Sequence, residues 1–159
     1  MSIPLKMSRQ KLEALALEPF VKVANDLGLP FFSGQGSANR LPIGGNVYFQ
    51  FGDLRIEQPN FTVIIEVESS GGVTNLVKYW ESIESQRLKK PIRLLHLFRQ
   101  NSENDYLAHI VVWEFLASRM KESLGNQFKG VCMKYRNGSP ESLAPAISLF
   151  QQWLCEKLV

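Results

Sequence analysis

Residues 61–68 constrain the fold of this 159-residue chain more than any other segment. β-Branched and aromatic side chains fill the run from Phe61 to Val67, and this composition predicts a β-strand. Because side chains alternate across a strand, Glu66 and Glu68 lie on one face of it, about 7 Å apart. Ile64 shares that face, so the strand is expected to carry two carboxylates beside an apolar side chain.

A third carboxylate, Asp53, opens the preceding predicted strand, residues 54–57. A turn at residues 58–60 joins the two strands, and their pairing would bring Asp53 to Glu66 and Glu68. Such a cluster opposes folding, because like charges repel and burial penalises ionisation. A divalent cation would relieve that cost, and Mg²⁺ in particular prefers a few carboxylates together with water and a phosphate.

Each carboxylate also has an ordinary structural interpretation. Asp53 caps a turn, Glu66 pairs with Arg55 on the adjacent strand, and Glu68 is a solvated strand end. We favour the cation site, because only that hypothesis explains why the carboxylates converge.

The rest of the sequence predicts helices and strands around this pair of strands. Apolar residues at helical spacing predict helices over residues 9–27, 73–88 and 104–124, with Pro19 kinking or dividing the first. A last helix is predicted to start near residues 139–141, and further strands cover residues 47–51, 92–98 and 128–135. The order α-β-β-β-α-β-α-β-α predicts a mixed sheet flanked by helices in a single domain, residues 1–159.

The glycine-rich residues 33–46 predict a long loop. We interpret this loop as a mobile lid rather than a phosphate cradle, because it lacks the lysine that follows the glycines of such cradles.

The net charge of +3 is compatible with a nucleic-acid partner but does not require one. No apolar run reaches the length of a membrane span, and the first residues lack the apolar core of a signal peptide. We therefore expect a cytoplasmic protein that does not contact membranes.

The αβββαβ order, with carboxylates on its second and third strands, resembles the PD-(D/E)XK nuclease superfamily over residues 45–98. In that pattern an acid opens the second strand, and Glu or Asp, any residue and Lys end the third. Asp53 matches the first acid, Glu66 the second and Val67 the spacer. Gly52 stands where the name-giving proline would be, and Glu68 stands where lysine is usual. Some type II restriction endonucleases carry Glu-x-Glu there, and the superfamily also contains inactive members.

The helix that follows carries a second similarity. Asn75 and Tyr79 resemble the Gln-x-x-x-Tyr motif of some branches, and their spacing puts both on one helix face. Lys78 is a candidate for a lysine displaced onto this helix, and Glu18 resembles a first-helix glutamate that some members add to the metal shell. An exposed helix side is the alternative interpretation for Lys78 and Tyr79.

The resemblance implies a restriction-endonuclease-like α/β (α+β) domain with three layers, α/β/α, that hydrolyses phosphodiester bonds, DNA being the expected substrate. It implies Mg²⁺ or Mn²⁺ held by Asp53, Glu66 and a backbone carbonyl near Val67. Asp53, Glu66, Glu68 and Lys78 are the implied catalytic residues. A homodimer would give each strand of a duplex its own active site.

Basic residues near the predicted crossover helix and in the glycine-rich segment are candidates for contacts with the phosphate backbone. These candidate residues are Arg40, Arg87, Lys89, Lys90 and Arg93. A solvated helix end is the alternative interpretation of the four beside the helix.

Two other functions stay open, namely an inactive nuclease fold that binds nucleic acid or a protein, and a structural subunit of a larger complex.

Overall fold

The computed structural model describes residues 8–68 and 74–156. In this part of the chain a five-stranded sheet is flanked by four α-helices. A separate two-stranded hairpin comes before Asp53 in the sequence. The helices are α1 (Arg9–Asp26), α2 (Thr74–Glu84), α3 (Leu107–Leu124) and α4 (Ala144–Cys155); the strands are β1 (Phe32–Ser33), β2 (Arg40–Gly44), β3 (Val47–Gln50), β4 (Leu54–Glu57), β5 (Thr62–Glu68), β6 (Ile92–Arg99) and β7 (Phe128–Tyr135).

The sheet has the strand order β1-β4-β5-β6-β7, and its centre is β5. The strand β4 pairs antiparallel with β5, with Leu54 opposite Ile65. The strand β6 pairs parallel with β5, with Glu66 opposite His96, after the chain has crossed over through α2. The mixed sheet predicted from the sequence is therefore confirmed.

Both faces of β5 are buried, because helices cover the sheet on each side. Val63, Ile65 and Val67 pack in a core with α1 and α4. Ile64 packs in a second core with α2 and α3. The predicted alternation of β5 is thus confirmed, and Glu66 and Glu68 belong to the face that α2 covers.

The loop prediction for residues 33–46 is wrong in part. Residues 40–44 form β2, which pairs with β3 in a hairpin outside the main sheet. The first strand of the main sheet is accordingly β1, which pairs with β4, and not the predicted strand at residues 47–51. The order αβββαβ still describes α1, β1, β4, β5, α2 and β6.

Several predicted boundaries also differ from the structure. The helix α1 continues through Pro19 as one element, α2 ends at Glu84 rather than residue 88, and α4 begins only after a 3₁₀ turn at Pro140–Leu143. The predicted break at residues 69–72 and the predicted helix start at residue 73 lie outside the described residues. Within the ranges 8–68 and 74–156, no helix combines the length and apolar character that crossing a bilayer requires.

Candidate active site

The backbone at Gly52 brings Asp53 to the edge of β5. Gly52 has a φ of +84°, and a Cβ atom there would lie 2.6 Å from Cγ2 of Ile64. Only glycine suits this position, and its φ also excludes the proline of the superfamily pattern. The next residue, Asp53, then donates its backbone N–H to the carbonyl of Ile65, 3.0 Å away.

Both carboxylate oxygens of Asp53 accept hydrogen bonds. Oδ2 accepts from the backbone N–H of Val67 at 2.7 Å, and Oδ1 accepts from Nε2 of Gln50 at 2.8 Å. Burial raises the pKa of Asp53 above its usual value, although these bonds and the charge of Lys78 lower it. Asp53 is therefore held rigidly, in surroundings that penalise its negative charge.

Glu66 is buried and is held by two donors from α2. Its Oε1 atom accepts from the hydroxyl of Tyr79 at 2.6 Å and lies 2.7 Å from Nζ of Lys78. Burial, opposed by Lys78 and assisted by the charge of Asp53, raises the pKa of Glu66 to about 7. Burial also raises the pKa of Tyr79 well above its usual range, so this hydroxyl stays protonated and donates.

Lys78 reaches into the protein with its side chain only 3% exposed. Its ammonium group contacts Oε1 of Glu66, donates to the carbonyl of Gln50 at 2.9 Å, and donates to Oδ1 of Asn75 at 3.3 Å. An ammonium has three hydrogens to donate, and these three acceptors match them. Lys78 therefore ties α2 to β5 and to the end of the β2–β3 hairpin.

Glu68 is buried beside His96 and Asn75. Its Oε2 atom lies 3.2 Å from Nε2 of His96 and accepts from Nδ2 of Asn75 at 3.2 Å. The indole N–H of Trp113, which can only donate, points at Nδ1 of His96 from 2.8 Å. Nδ1 must therefore accept, so the neutral imidazole carries its hydrogen on Nε2 and donates it to Glu68.

The structure brings together six of the residues that the sequence singled out. The separate interpretations of Glu66 and Glu68 are wrong, because Arg55 pairs with Glu57 and Glu68 is 3% exposed. The exposed-helix interpretation of Lys78 and Tyr79 is also wrong, since both are buried. The six residues are Asp53, Glu66, Glu68, Asn75, Lys78 and Tyr79. Val67 joins them through its N–H, while its carbonyl as a metal ligand stays a prediction.

Glu18 lies away from this group. It is exposed on α1, which packs on the face of the sheet opposite Glu66. On the same helix, the charge of Glu13 adds to the burial that raises the pKa of Tyr135, at the end of β7, to about 12.

The basic cluster beside the crossover helix is also separate from the carboxylates. Arg93 is buried, points to the α4 side of the sheet and pairs with Glu156. Arg87 pairs with Glu81, and Lys90 lies 2.5 Å from Glu57. Lys89 is exposed. Arg40 is the only one of the five on the β2–β3 hairpin.

Sequence reasoning missed Gln50, His96 and Trp113. A signal existed for His96, because it interrupts an apolar strand, and a parallel pairing with β5 in register puts it beside Glu66. No comparable signal existed for Gln50, since its role depends on where the β2–β3 hairpin ends. Trp113 lies on α3, distant in sequence, and only the packing of α3 brings it to His96.

Asp53 and Glu66 are the donor pair that suits a hard divalent cation. Mg²⁺ is usually held by one or two carboxylates, with water and substrate phosphate as its other ligands. Both carboxylates have raised pKa values, and the charge of Asp53 contributes to that of Glu66, so a nearby cation would stabilise both ionised forms. Within residues 8–68 and 74–156, no group of three or more His, Cys, Asp or Glu side chains is placed to hold a metal ion.

The raised pKa of Glu66 predicts that stability without metal falls as the pH rises. Below about pH 4.5 the carboxyl is protonated in both folded and unfolded chains, and between that value and about 7 only the folded chain keeps the proton. Stability should therefore decline through this window by up to about 3 kcal/mol. Urea unfolding of wild type and Glu66→Gln from pH 4.5 to 8 in EDTA measures this. The variant should gain on wild type as the pH rises, and parallel curves would contradict the prediction.

Comparisons of this chain with protein-family models, curated proteins and solved structures found no match. The resemblance to PD-(D/E)XK nucleases therefore stays a prediction from the sequence.

Proposed function

We propose that this protein is a metal-dependent nuclease that hydrolyses phosphodiester bonds, with DNA as the expected substrate. The observation that carries the proposal is the convergence of Asp53, Glu66 and Lys78 at the carboxyl end of β5. Both carboxylates have raised pKa values there, and a buried ammonium lies 2.7 Å from one of them. Catalytic sites commonly combine such perturbed groups with a charged partner.

In this proposal Asp53 and Glu66 would hold one divalent cation together with a backbone carbonyl near Val67. Such a cation would supply Lewis-acid chemistry, namely a lower pKa of a bound water and stabilisation of negative charge on the scissile phosphate. Lys78 contributes a fixed positive charge beside Glu66, in surroundings where water does not screen it. Tyr79 and the N–H of Val67 keep the two carboxylates in place.

Glu68 takes the place of the usual lysine and acts as the proton acceptor for the attacking water. A carboxylate accepts a proton but cannot donate to phosphate oxygens while it is ionised. His96 donates to Glu68 and fixes its orientation, and Trp113 fixes the tautomer of His96. Cleavage of both strands of a duplex requires two copies of the site, which a homodimer would supply.

A second candidate function is an inactive nuclease fold that binds nucleic acid or a protein. The observation that favours it is that hydrogen-bond donors of the protein itself already contact two of the carboxylates. Lys78 and Tyr79 contact Glu66, and His96 and Asn75 contact Glu68. In such a module Lys78 would replace the cation permanently.

The nuclease proposal predicts that cleavage depends on metal and on Asp53. We expect purified protein with Mg²⁺ or Mn²⁺ to cleave linear, circular or single-stranded DNA, or RNA, and EDTA to stop the reaction. Asp53→Asn should lower the rate at least about 100-fold, because a metal ligand is lost. Glu122→Gln, which removes an exposed carboxylate on α3, is the matched control and should keep wild-type activity.

Thermal unfolding with and without Mn²⁺ separates the two candidates. A bound cation stabilises the folded chain by mass action, by about 2.7 kcal/mol at 100 times its Kd. This stabilisation should appear in wild type and be lost in Asp53→Asn. Intact substrates together with no metal response in wild type would favour the inactive module.

A further inference from the structure

The β2–β3 hairpin exposes large apolar side chains beside the candidate active site. Val47, Tyr48 and Phe49 are 63%, 46% and 41% exposed. They follow one another in β3, where neighbouring side chains point to opposite faces, so both faces of this strand are exposed. The hairpin is anchored by Leu41, which is fully buried against the α2 side of the sheet. Its outer part therefore presents rings to solvent that the packing of the domain does not require.

A cavity of about 450 Å³ lies along one face of this hairpin. Arg40 and Tyr48 line it, and the guanidinium of Arg40 stacks over the Tyr48 ring, 5.2 Å from its centre. Amide side chains of Gln35, Asn39 and Gln50 line the same cavity. The cavity thus combines an aromatic ring, a planar cation and polar amide side chains.

The cavity adjoins the carboxylates through Gln50. Arg40 lies directly opposite Gln50 in the hairpin, and the Gln50 side chain donates to Oδ1 of Asp53. The backbone carbonyl of the same residue accepts from Lys78. A molecule in the cavity is therefore one residue away from both Asp53 and the ammonium of Lys78.

The wall of the cavity is held in place before any ligand binds. Asn39 is 2% exposed, donates to the carbonyls of Gly34 and Gly52, and accepts from Nε of Arg55. The Arg55 guanidinium also donates to the carbonyl of Ala38. Such anchoring lowers the entropic cost of binding a flat ligand.

The charge of this segment suits a polyanion. No Asp or Glu occurs between Asp26 and Asp53, and Arg40 is the one cationic side chain in that stretch. We infer that the Arg40–Tyr48 cavity binds an unpaired base of single-stranded nucleic acid, next to the phosphate that Asp53 and Glu66 address. This inference rests on the proposed nuclease function and gives it a substrate class.

The aromatic face explains why the strand must be single. Bases in a duplex are stacked on one another, and only unpaired or extruded bases offer a free face to a ring. An exposed ring and a stacked guanidinium are the side chains that bind such bases without reading their sequence.

Fluorescence anisotropy in EDTA tests the inference without requiring cleavage. The probes are a labelled single-stranded DNA, its duplex, and the same single strand with abasic sites in place of bases. We expect wild type to prefer the base-containing single strand. Tyr48→Ala should bind that probe about tenfold more weakly, while Tyr48→Phe keeps the ring and binds like wild type.

A matched control lies on α3, where Arg119 stacks over the exposed ring of Phe115 at 5.3 Å. Phe115→Ala removes a comparable ring at a different site and should leave binding unchanged. Equal binding by Tyr48→Ala and wild type, equal weakening by Phe115→Ala, or an abasic strand bound as tightly as the intact one would overturn the inference. Binding that depends on Tyr48 without any cleavage would support base binding in the cavity and contradict the nuclease activity. Cleavage together with binding that does not depend on Tyr48 would support the nuclease activity and contradict base binding in the cavity.

Discussion

Replacing Lys78 with methionine is expected to lower the free energy of unfolding by about 3–5 kcal/mol at pH 8 and to abolish cleavage. Removing one partner of a buried ion pair leaves the other charge without compensation, which is the costly way to break such a pair. Here the remaining charge is Glu66, whose pKa burial raises to about 7 against the lowering effects of Lys78 and Tyr79. Without Lys78 the carboxyl should stay protonated at neutral pH and lose its affinity for a cation.

The pH dependence and a double variant identify the cause. The loss in Lys78→Met should be smaller at pH 5, because Glu66 is then protonated and leaves no buried negative charge. Adding Glu66→Gln to Lys78→Met should recover part of the loss at pH 8, since the uncompensated carboxylate is gone. Urea unfolding measures both effects, with Lys121→Met as the control for an exposed lysine. An additive double variant would contradict the coupling of Lys78 with Glu66.

The central strands were predictable because their signals are local. The alternation of β5 and the turn before it place Asp53, Glu66 and Glu68 at one end of the strand without knowledge of the rest of the fold. The spacing on α2 likewise puts Asn75 and Tyr79 on one helix face. These predictions required only the period of each element and the adjacency of β4 and β5.

The β2–β3 hairpin and the contacts between elements distant in sequence were not predictable in the same way. The strand β2 contains Pro42 and ends at Gly44, two residue types that weaken a strand signal, and its pairing with β3 has an irregular register there. Glu18 is exposed on α1, and the sequence does not say which side of that helix faces the sheet. The bond between Trp113 and His96 joins two elements whose packing only the three-dimensional fold determines.

Glu68 gives the second large expected effect. Glu68→Gln keeps an oxygen that accepts from His96 and Asn75 but cannot take a proton at neutral pH. If Glu68 is the proton acceptor, cleavage should fall by about 10²–10⁴-fold while the fold and DNA binding in EDTA are retained. Glu68→Ala should show the same loss of activity with DNA binding that is unchanged or tighter, because a negative charge near the phosphate is removed. It should also be less stable by about 1–3 kcal/mol, since the N–H of His96 is left unpaired.

Glu68→Lys restores the usual superfamily pattern and is nevertheless expected to be inactive. The ammonium of Lys78 already lies 2.7 Å from Glu66, so a second ammonium two residues further along β5 adds repulsion and removes the proton acceptor. The new lysine would also face the N–H of His96, a donor against a donor. Single-turnover cleavage by Glu68→Gln, Glu68→Ala and Glu68→Lys, each with its unfolding curve, separates loss of chemistry from loss of structure. Wild-type rates in Glu68→Gln would leave Glu68 only the role of orienting His96 and Asn75, and the acceptor would then have to be sought among the groups around Asp53.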